Sequence, residues 1–225
     1  MKASTALTLL VSAFFAISCA QEPKAPYADC MDISHYQGRI DWDEVVKDTL
    51  GFTCIYSKVT ESDWYVDTTY RYNLPEARRH GYKVGGYHYY RQGASAHANF
   101  ENFRREYNSI EFDLKPMLDI ERNDDYTPEQ MVDSLKTYCE LIKEEYGVYP
   151  VIYSTEDRYN SLYKGMFTDS FLFIGKVEGG EPVLEDGGVC KLWQFCWTAK
   201  VRGVEFEADI SRFTNGGSIE DILMK

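Results

Sequence analysis

The feature that most limits what this chain can become is a repeated change of hydrophobic period. Short runs rich in β-branched and aromatic residues alternate with longer stretches whose apolar residues recur every three or four positions. Strands are expected near 28–34, 52–58, 83–90, 115–121 and 149–154, and helices near 41–48, 67–80, 95–107 and 128–146. That order favours an α/β fold on a mostly parallel sheet. The helix at 128–146 is the best marked: Thr127 is placed as N-cap, Pro128 takes the first position, Gln130 completes a capping box and Gly147 follows the end. Its core stripe is Met131, Leu135, Tyr138 and Ile142. Beyond about residue 165 the helical period stops, and runs at 171–177, 189–197 and 204–210 read as strands between Gly-rich turns. Five β/α units followed by about three strands therefore make a single domain over 28–225.

The N-terminus stands apart from this pattern. Met1-Lys2 precede an uncharged run from Ala3 to Ser18, the layout of a secretory signal. Its apolar centre is about twelve residues, short of the roughly 20 needed to cross a bilayer. Ala16-Ile17-Ser18-Cys19 resembles the lipobox of bacterial lipoproteins, which implies cleavage before Cys19 and acylation of its thiol. Residues 1–18 are then a signal peptide, and 19–27 a lipidated cysteine with a short Pro-containing tether. An exported, membrane-anchored protein is expected, at the outer membrane and periplasm or at the cell surface. Removing residues 1–18 from 225 leaves 207, enough for a large α/β core.

Charge and cysteine content exclude several classes. Asp and Glu outnumber Lys and Arg by 36 to 24, so no basic stripe can neutralise phosphates and nucleic acid is not an expected partner. With Cys19 lipidated, Cys30, Cys54, Cys139, Cys190 and Cys196 remain, and an odd number leaves at least one free thiol. Cys190 and Cys196 share a predicted strand about 20 Å apart if extended, too far to bridge without a turn. Four histidines and no Cys-x-x-Cys spacing give no sign of a metal site, and no cofactor is expected.

In a parallel barrel the chemistry gathers where strands end and βα loops begin. That rule selects Asp32, Ser34 and His35 after the first strand, Lys58 and Glu61 after the second, Tyr87 and His88 after the third, Asp119 and Glu121 after the fourth, and Asp209 at the end of a late strand. Asp119 and Glu121 stand at i and i+2 and so face the same side of the sheet, about 6–7 Å apart along the strand. Repulsion between two such carboxylates, helped by burial, lets one stay protonated as a general acid while the other is an anion. Glycosidic bond cleavage asks for that pairing. Alone, the Asp-x-Glu signal is weak, since such a pair can merely cap a helix; Asp32 and Asp209 at other strand ends strengthen it. Among the 18 tyrosines, Tyr87 and Tyr153 lie near strand ends, where a ring can stack on a sugar, whereas most strand aromatics are expected in the core.

In order, Asp32-Ile-Ser34-His-Tyr-Gln37-Gly38 with Ile40-Asp41-Trp42, Tyr56-Ser-Lys58-Val-Thr-Glu61, Gly85-Gly-Tyr87-His88-Tyr, Pro116-Met-Leu-Asp119-Ile-Glu121, and Trp193-Gln194-Phe195 with Asp209 resemble the Chalaropsis-type lysozymes, glycoside hydrolase family 25. The resemblance runs from about Asp29 to Phe213. It implies a (β/α)5β3 TIM-like barrel and an N-acetylmuramidase that cuts the β-1,4 bond between N-acetylmuramic acid and N-acetylglucosamine in peptidoglycan strands. It further implies that Glu121 is the acid, that Asp119 assists catalysis, and that Asp32 and Asp209 line the cleft. Tyr87, Tyr153, Lys58, Gln37, Trp193 and Gln194 are the expected substrate-binding residues, and a monomer is expected. The substrate's own 2-acetamido group can serve as nucleophile, with Asp119 steadying the charge.

Two departures from the family pattern fall on loops. Ser62 replaces a glycine after Lys58-Val-Thr-Glu61, and an aromatic-rich segment appears instead as Gly175-Lys-Val-Glu-Gly-Gly180. They bear on subsites rather than on the acid pair. Two other readings use the same residues: a hydrolase of a different amino-sugar polymer, and a non-catalytic glycan-binding lipoprotein. Four like charges gathered in one cleft are costly and give a binding site nothing, which speaks against the last.

Overall fold

The structure, a computed structural model, describes residues 27–121 and 126–224. The expected signal peptide, Cys19 and nearly all of the tether lie outside those residues. None of the helices among the described residues is long and apolar enough to cross a membrane.

Eight strands close into a barrel: β1 (Cys30–Ile33), β2 (Cys54–Glu61), β4 (Lys83–Tyr89), β5 (Met117–Asp119), β6 (Val151–Thr155), β7 (Leu172–Gly175), β8 (Cys190–Ala199) and β9 (Ala208–Phe213), with a two-residue β3 (Tyr65–Val66) folded back on β2. Closure comes from β1, which pairs in parallel with β2 and antiparallel with β9. The helices α1 (Trp42–Val45), α2 (Tyr70–Arg79), α3 (Ala96–Tyr107), α4 (Pro128–Tyr146) and the short α5 (Glu156–Arg158), extended by a π-helical turn at Tyr159–Tyr163, fill the five crossovers. The expected (β/α)5β3 order is therefore found, with the β2–β3 hairpin as an addition.

Local chemistry explains the element ends. In α4, Thr127 Oγ1 accepts from Gln130 N while Gln130 Oε1 accepts from Thr127 N, and Gly147 closes the helix at φ +74°. All four residues of its expected stripe are buried. The helix expected from 67 starts only at Tyr70, because Asp67 Oδ1 takes the amide and hydroxyl of Thr69 and holds the preceding residues in a turn. The helix expected over 41–48 contracts to one turn capped by Asp41.

Strand alternation sorts the apolar residues into two cores. Ile33, Ile55, Leu118, Ile152, Ile174 and Ile210 point outwards and pack with Leu74, Phe103, Leu135 and Ile142 of the helices. Tyr56, Met117, Val151, Tyr153, Phe173 and Leu192 point inwards and fill the barrel. Gly85 is required there: a Cβ would stand 2.3 Å from the Tyr56 ring. The amino-terminal end of the barrel is closed by the segment from Ile219 to Met224, whose Ile222 carbonyl accepts from Lys115 N at 2.7 Å while Met224 N donates to Asp113 O at 2.8 Å. The opposite mouth, at the carboxyl ends of the parallel strands, holds a cavity lined by strand-end residues.

Cys30 and Cys54, register partners on β1 and β2 with Cα atoms 4.7 Å apart, form a disulfide in the inner core. Cys139, Cys190 and Cys196 remain thiols. The cross-link ties the closing strand to its neighbour and restricts the unfolded chain over a separation of 24 residues. Replacing both cysteines by alanine is expected to lower the unfolding free energy by about 3 kcal/mol. Urea titration of the variant beside the parent checks this, and reductant should then have no further effect on the variant.

Candidate active site

The site is assembled from strand ends. Asp32 is the penultimate residue of β1 and Asp119 the last of β5, and both are buried. Glu121 lies just beyond β5 and is half-buried. Asp209 reaches the same place by a different route from the one expected. It does not end a strand but is the second residue of β9, and because β9 runs antiparallel its beginning lies at the mouth, with Asp209 directly opposite Asp32. The four carboxylates share one cavity of about 70 Å³ with Tyr87, Met117, Tyr153, Phe173 and Gln194.

Gln194 organises one wall. Its Oε1 accepts from Tyr153 Oη and from Trp197 Nε1, both at 2.6 Å, which orients the amide so that Nε2 donates to Asp32 Oδ2 at 3.1 Å. Gly175 makes room for this group, since a Cβ there would stand 2.8 Å from Tyr153 Oη. On the other wall Tyr89 Oη donates to Glu121 Oε2 at 3.3 Å. Among the described residues, Asp32 Oδ1 and Asp119 Oδ1 are buried with no hydrogen-bond partner at close range.

Burial dominates the electrostatics. It pushes the Asp32 carboxyl up to about 8, aided by the charge of Asp209 and opposed by the Gln194 amide. Asp209 rises to about 7, by burial and then the charge of Glu121. Asp119 is held well above the usual carboxylate range, first by burial and next by Glu121, with Lys58 pulling the other way. The phenols of Tyr87 and Tyr153 are raised well above their ordinary value by burial and the surrounding acids, and so stay protonated donors. Burial and the acids' mutual repulsion thus favour the neutral forms of Asp32, Asp119 and Asp209.

Three expected binding residues have their side chains engaged elsewhere. Lys58 pairs with Glu61, which also takes Arg91 Nε at 2.7 Å, and its ammonium lies 4.6 Å from the Tyr89 ring. Gln37 caps the turn at Ser34 through Oε1 and donates Nε2 to Glu207 O at 2.7 Å. Trp193 points to the outside of the barrel, with Nε1 donating to Lys176 O and Arg212 5.0 Å from its ring. Of the strand-end candidates, His88 is buried on the helix side between Thr60, Asn99 and Tyr138, and burial lowers it to about 4, so it stays neutral. Trp197 was not anticipated. The register of β8 slips on both sides of Cys196, so strand alternation does not foretell that Trp197 meets Gln194.

The raised acids make a signed statement about stability. A carboxyl whose pKa is higher folded than unfolded stabilises the fold below its unfolded value near 4, and that contribution is lost as pH rises through about 8 for Asp32. Asp32→Asn, which cannot ionise, is therefore expected to be more stable than the parent at pH 8 by at least about 1 kcal/mol and to show little gain at pH 4. Thermal unfolding of both proteins across this range measures it.

Comparison with known proteins agrees with this geometry. The crystal structure of a bacterial lysozyme from Streptomyces coelicolor superposes with a TM-score of 0.77 at 26% identity, covering 88% of this chain and 96% of that one. A family 25 glycosyl hydrolase from Bacillus anthracis gives 0.76 at 25% identity, covering 86% and 91%. Lysozyme M1 of Streptomyces globisporus is 28% identical over 202 residues, 84% of this chain and 68% of its own length. Residues 31–204 match the family described as glycosyl hydrolases family 25, and with the barrel and its acidic mouth already in view, this chain belongs to that family of glycoside hydrolases.

Proposed function

We propose that the chain is an exported peptidoglycan hydrolase that cuts the β-1,4 bond between N-acetylmuramic acid and N-acetylglucosamine. The observation that carries this reading is the meeting of Asp32, Asp119, Glu121 and Asp209 in one cavity in which Asp119 is buried and Glu121 is more open. A general acid must reach the oxygen of the leaving sugar, and Glu121 has that access. Asp119, enclosed and with one oxygen unpartnered among the described residues, suits a group that meets the substrate's 2-acetamido N–H.

In the proposed reaction Glu121 gives its proton to the glycosidic oxygen as the acetamido carbonyl oxygen attacks the anomeric carbon. The carbon–oxygen bond to the leaving sugar breaks and a cyclic oxazolinium forms. Asp119, as an anion, holds the acetamido N–H and offsets the positive charge that grows there. Water then attacks the anomeric carbon, gives its proton to the Glu121 carboxylate, and opens the ring with overall retention. Repulsion between Asp119 and Glu121 keeps one proton on the pair; burial favours it on Asp119 in the free cavity, and the acetamido N–H, by donating to Asp119, favours that group's anion and leaves the proton to Glu121, as the first step needs. Asp32 and Asp209 hold the sugar, with Tyr87, Tyr153 and Gln194 as neutral hydrogen-bonding groups; Lys58, Gln37 and Trp193 act by supporting the walls. A disulfide in the core suits an oxidising compartment, in keeping with export and a lipid anchor on Cys19.

The test is digestion of purified peptidoglycan, followed by borohydride reduction and mass spectrometry of the new ends. Muramitol ends are expected, and glucosaminitol ends would show that the other bond is cut. Glu121→Gln keeps the shape and loses the proton, so turnover should fall by about 10³-fold or more with the thermal transition unchanged; near-parental activity removes Glu121 from the role of acid. Asp119→Asn should cost at least about 10²-fold, and a loss of tenfold or less would reduce Asp119 to background electrostatics.

A further inference from the structure

At the mouth of the barrel four neighbouring strands meet on one rung. Glu61, at the end of β2, is the register partner of Tyr89 at the end of β4; Tyr89 is that of Asp119, and Asp119 that of Tyr153 on β6. Glu121 lies two residues beyond Asp119, and the Tyr89 phenol donates to its Oε2 at 3.3 Å. Lys58 and Glu61 stand on β2, one strand beyond Tyr89 from the acid pair, and the reaction proposed above gives them no direct part.

Glu61, Lys58 and Arg91 form a clamp around that phenol. One oxygen of Glu61 takes Lys58 Nζ and the other takes Arg91 Nε at 2.7 Å. The same two cations lie against the Tyr89 ring, with Lys58 Nζ 4.6 Å and Arg91 Cζ 5.1 Å from its centroid. Lys58 is buried and the Glu61 side chain is only 18% exposed, so water screens the arrangement little. Burial works to raise the Glu61 carboxyl, but hydrogen bonds from both cations hold it below its ordinary value, and it is an anion at neutral pH.

A cation against an aromatic face draws electron density from the ring. The phenol oxygen loses density with it, and its O–H becomes a stronger donor to a charged acceptor. Here the acceptor is Glu121. Among the described residues, the titratable groups facing Glu121 are Asp119 on its own strand, Asp209 on β9, Tyr153 on β6 and Tyr89 on β4. The two aspartates oppose a negative Glu121, whereas the Tyr89 hydrogen bond favours it.

Resting on the hydrolase reading above, we infer that Tyr89, polarised by the Lys58 and Arg91 cations that Glu61 holds against its ring, is a positioning residue for Glu121. It fixes one carboxyl oxygen, leaves the other to carry the proton, and supports the anion that remains once the proton has passed to the glycosidic oxygen. This hydrogen bond strengthens as Glu121 ionises, so it acts on the transition state more than on bound substrate.

The proton on Glu121 is read by carbon-13 NMR of full-length protein labelled at the glutamate carboxyl carbons, its signal being the one missing from Glu121→Gln. Tyr89→Phe keeps the ring and loses the hydroxyl, and should move the Glu121 midpoint up by about half a pH unit or more. Glu61→Gln leaves both cations uncompensated and should move it down by about as much. Arg91→Gln, which removes one cation and leaves Lys58 paired with Glu61, should move it up. In turnover of purified peptidoglycan, Tyr89→Phe should lower kcat about tenfold with KM within about twofold of the parent. An unmoved midpoint in Tyr89→Phe overturns the proposal, as does a change confined to KM, which would make Tyr89 a sugar contact. Shifts of the same sign in Tyr89→Phe and Glu61→Gln also overturn it, because a loosened wall would produce them without any clamp. The hydrolase reading fails separately, on the absence of muramitol ends from the parent protein, and the carboxyl titration decides in either case whether Tyr89 governs the proton of Glu121.

Discussion

The structure depends on the pairing of β1 with two partners of opposite direction. A parallel ladder to β2 and an antiparallel ladder to β9 close the sheet, and closure removes the exposed edges that an open sheet would present. The same pairing decides the chemistry. An antiparallel last strand brings its first residues, not its last, to the mouth, so Asp209 can stand against Asp32 across a single register step. A parallel β9 would have carried Asp209 to the floor.

The carboxylate cluster works against the fold that holds it. Burial raises Asp32, Asp119 and Asp209 above their ordinary values, meaning that the folded protein would be more stable with neutral groups there. The surrounding groups limit this cost only in part: the Gln194 amide supports Asp32, and the positive charge of Lys58 eases Asp119 although its ammonium is already paired with Glu61. Such a concentration of unfavourable burial in one cavity, away from the well-packed cores, marks where function has overruled stability.

Much of this was legible in the sequence because the relevant signals are local. The caps of α4, the order of β and α elements, and the strand-end positions of Asp32, Asp119 and Glu121 each follow from a few neighbouring residues. What was not legible depends on register or direction. The apolar run at 204–210 includes Val204 and Phe206, which precede β9, so the period shifts the expected strand by several residues and hides that Asp209 begins it. The Cys30–Cys54 link requires knowing that β1 and β2 lie in that register. Trp197 is concealed by irregular pairing in β8, and Gln37 and Trp193, which look alike in kind to Gln194, differ from it only in where the backbone aims them.

The segment from Ile219 to Met224 closes the floor of a barrel whose first strand is about 190 residues earlier, and β1 has no antiparallel partner until β9 exists. Closure therefore joins segments far apart in the chain, and until β9 docks on β1 the sheet keeps an open edge and the mouth lacks Asp209. Pairing over so long a separation is entropically costly and slow to form, so the barrel and its acidic site are completed by the same late event.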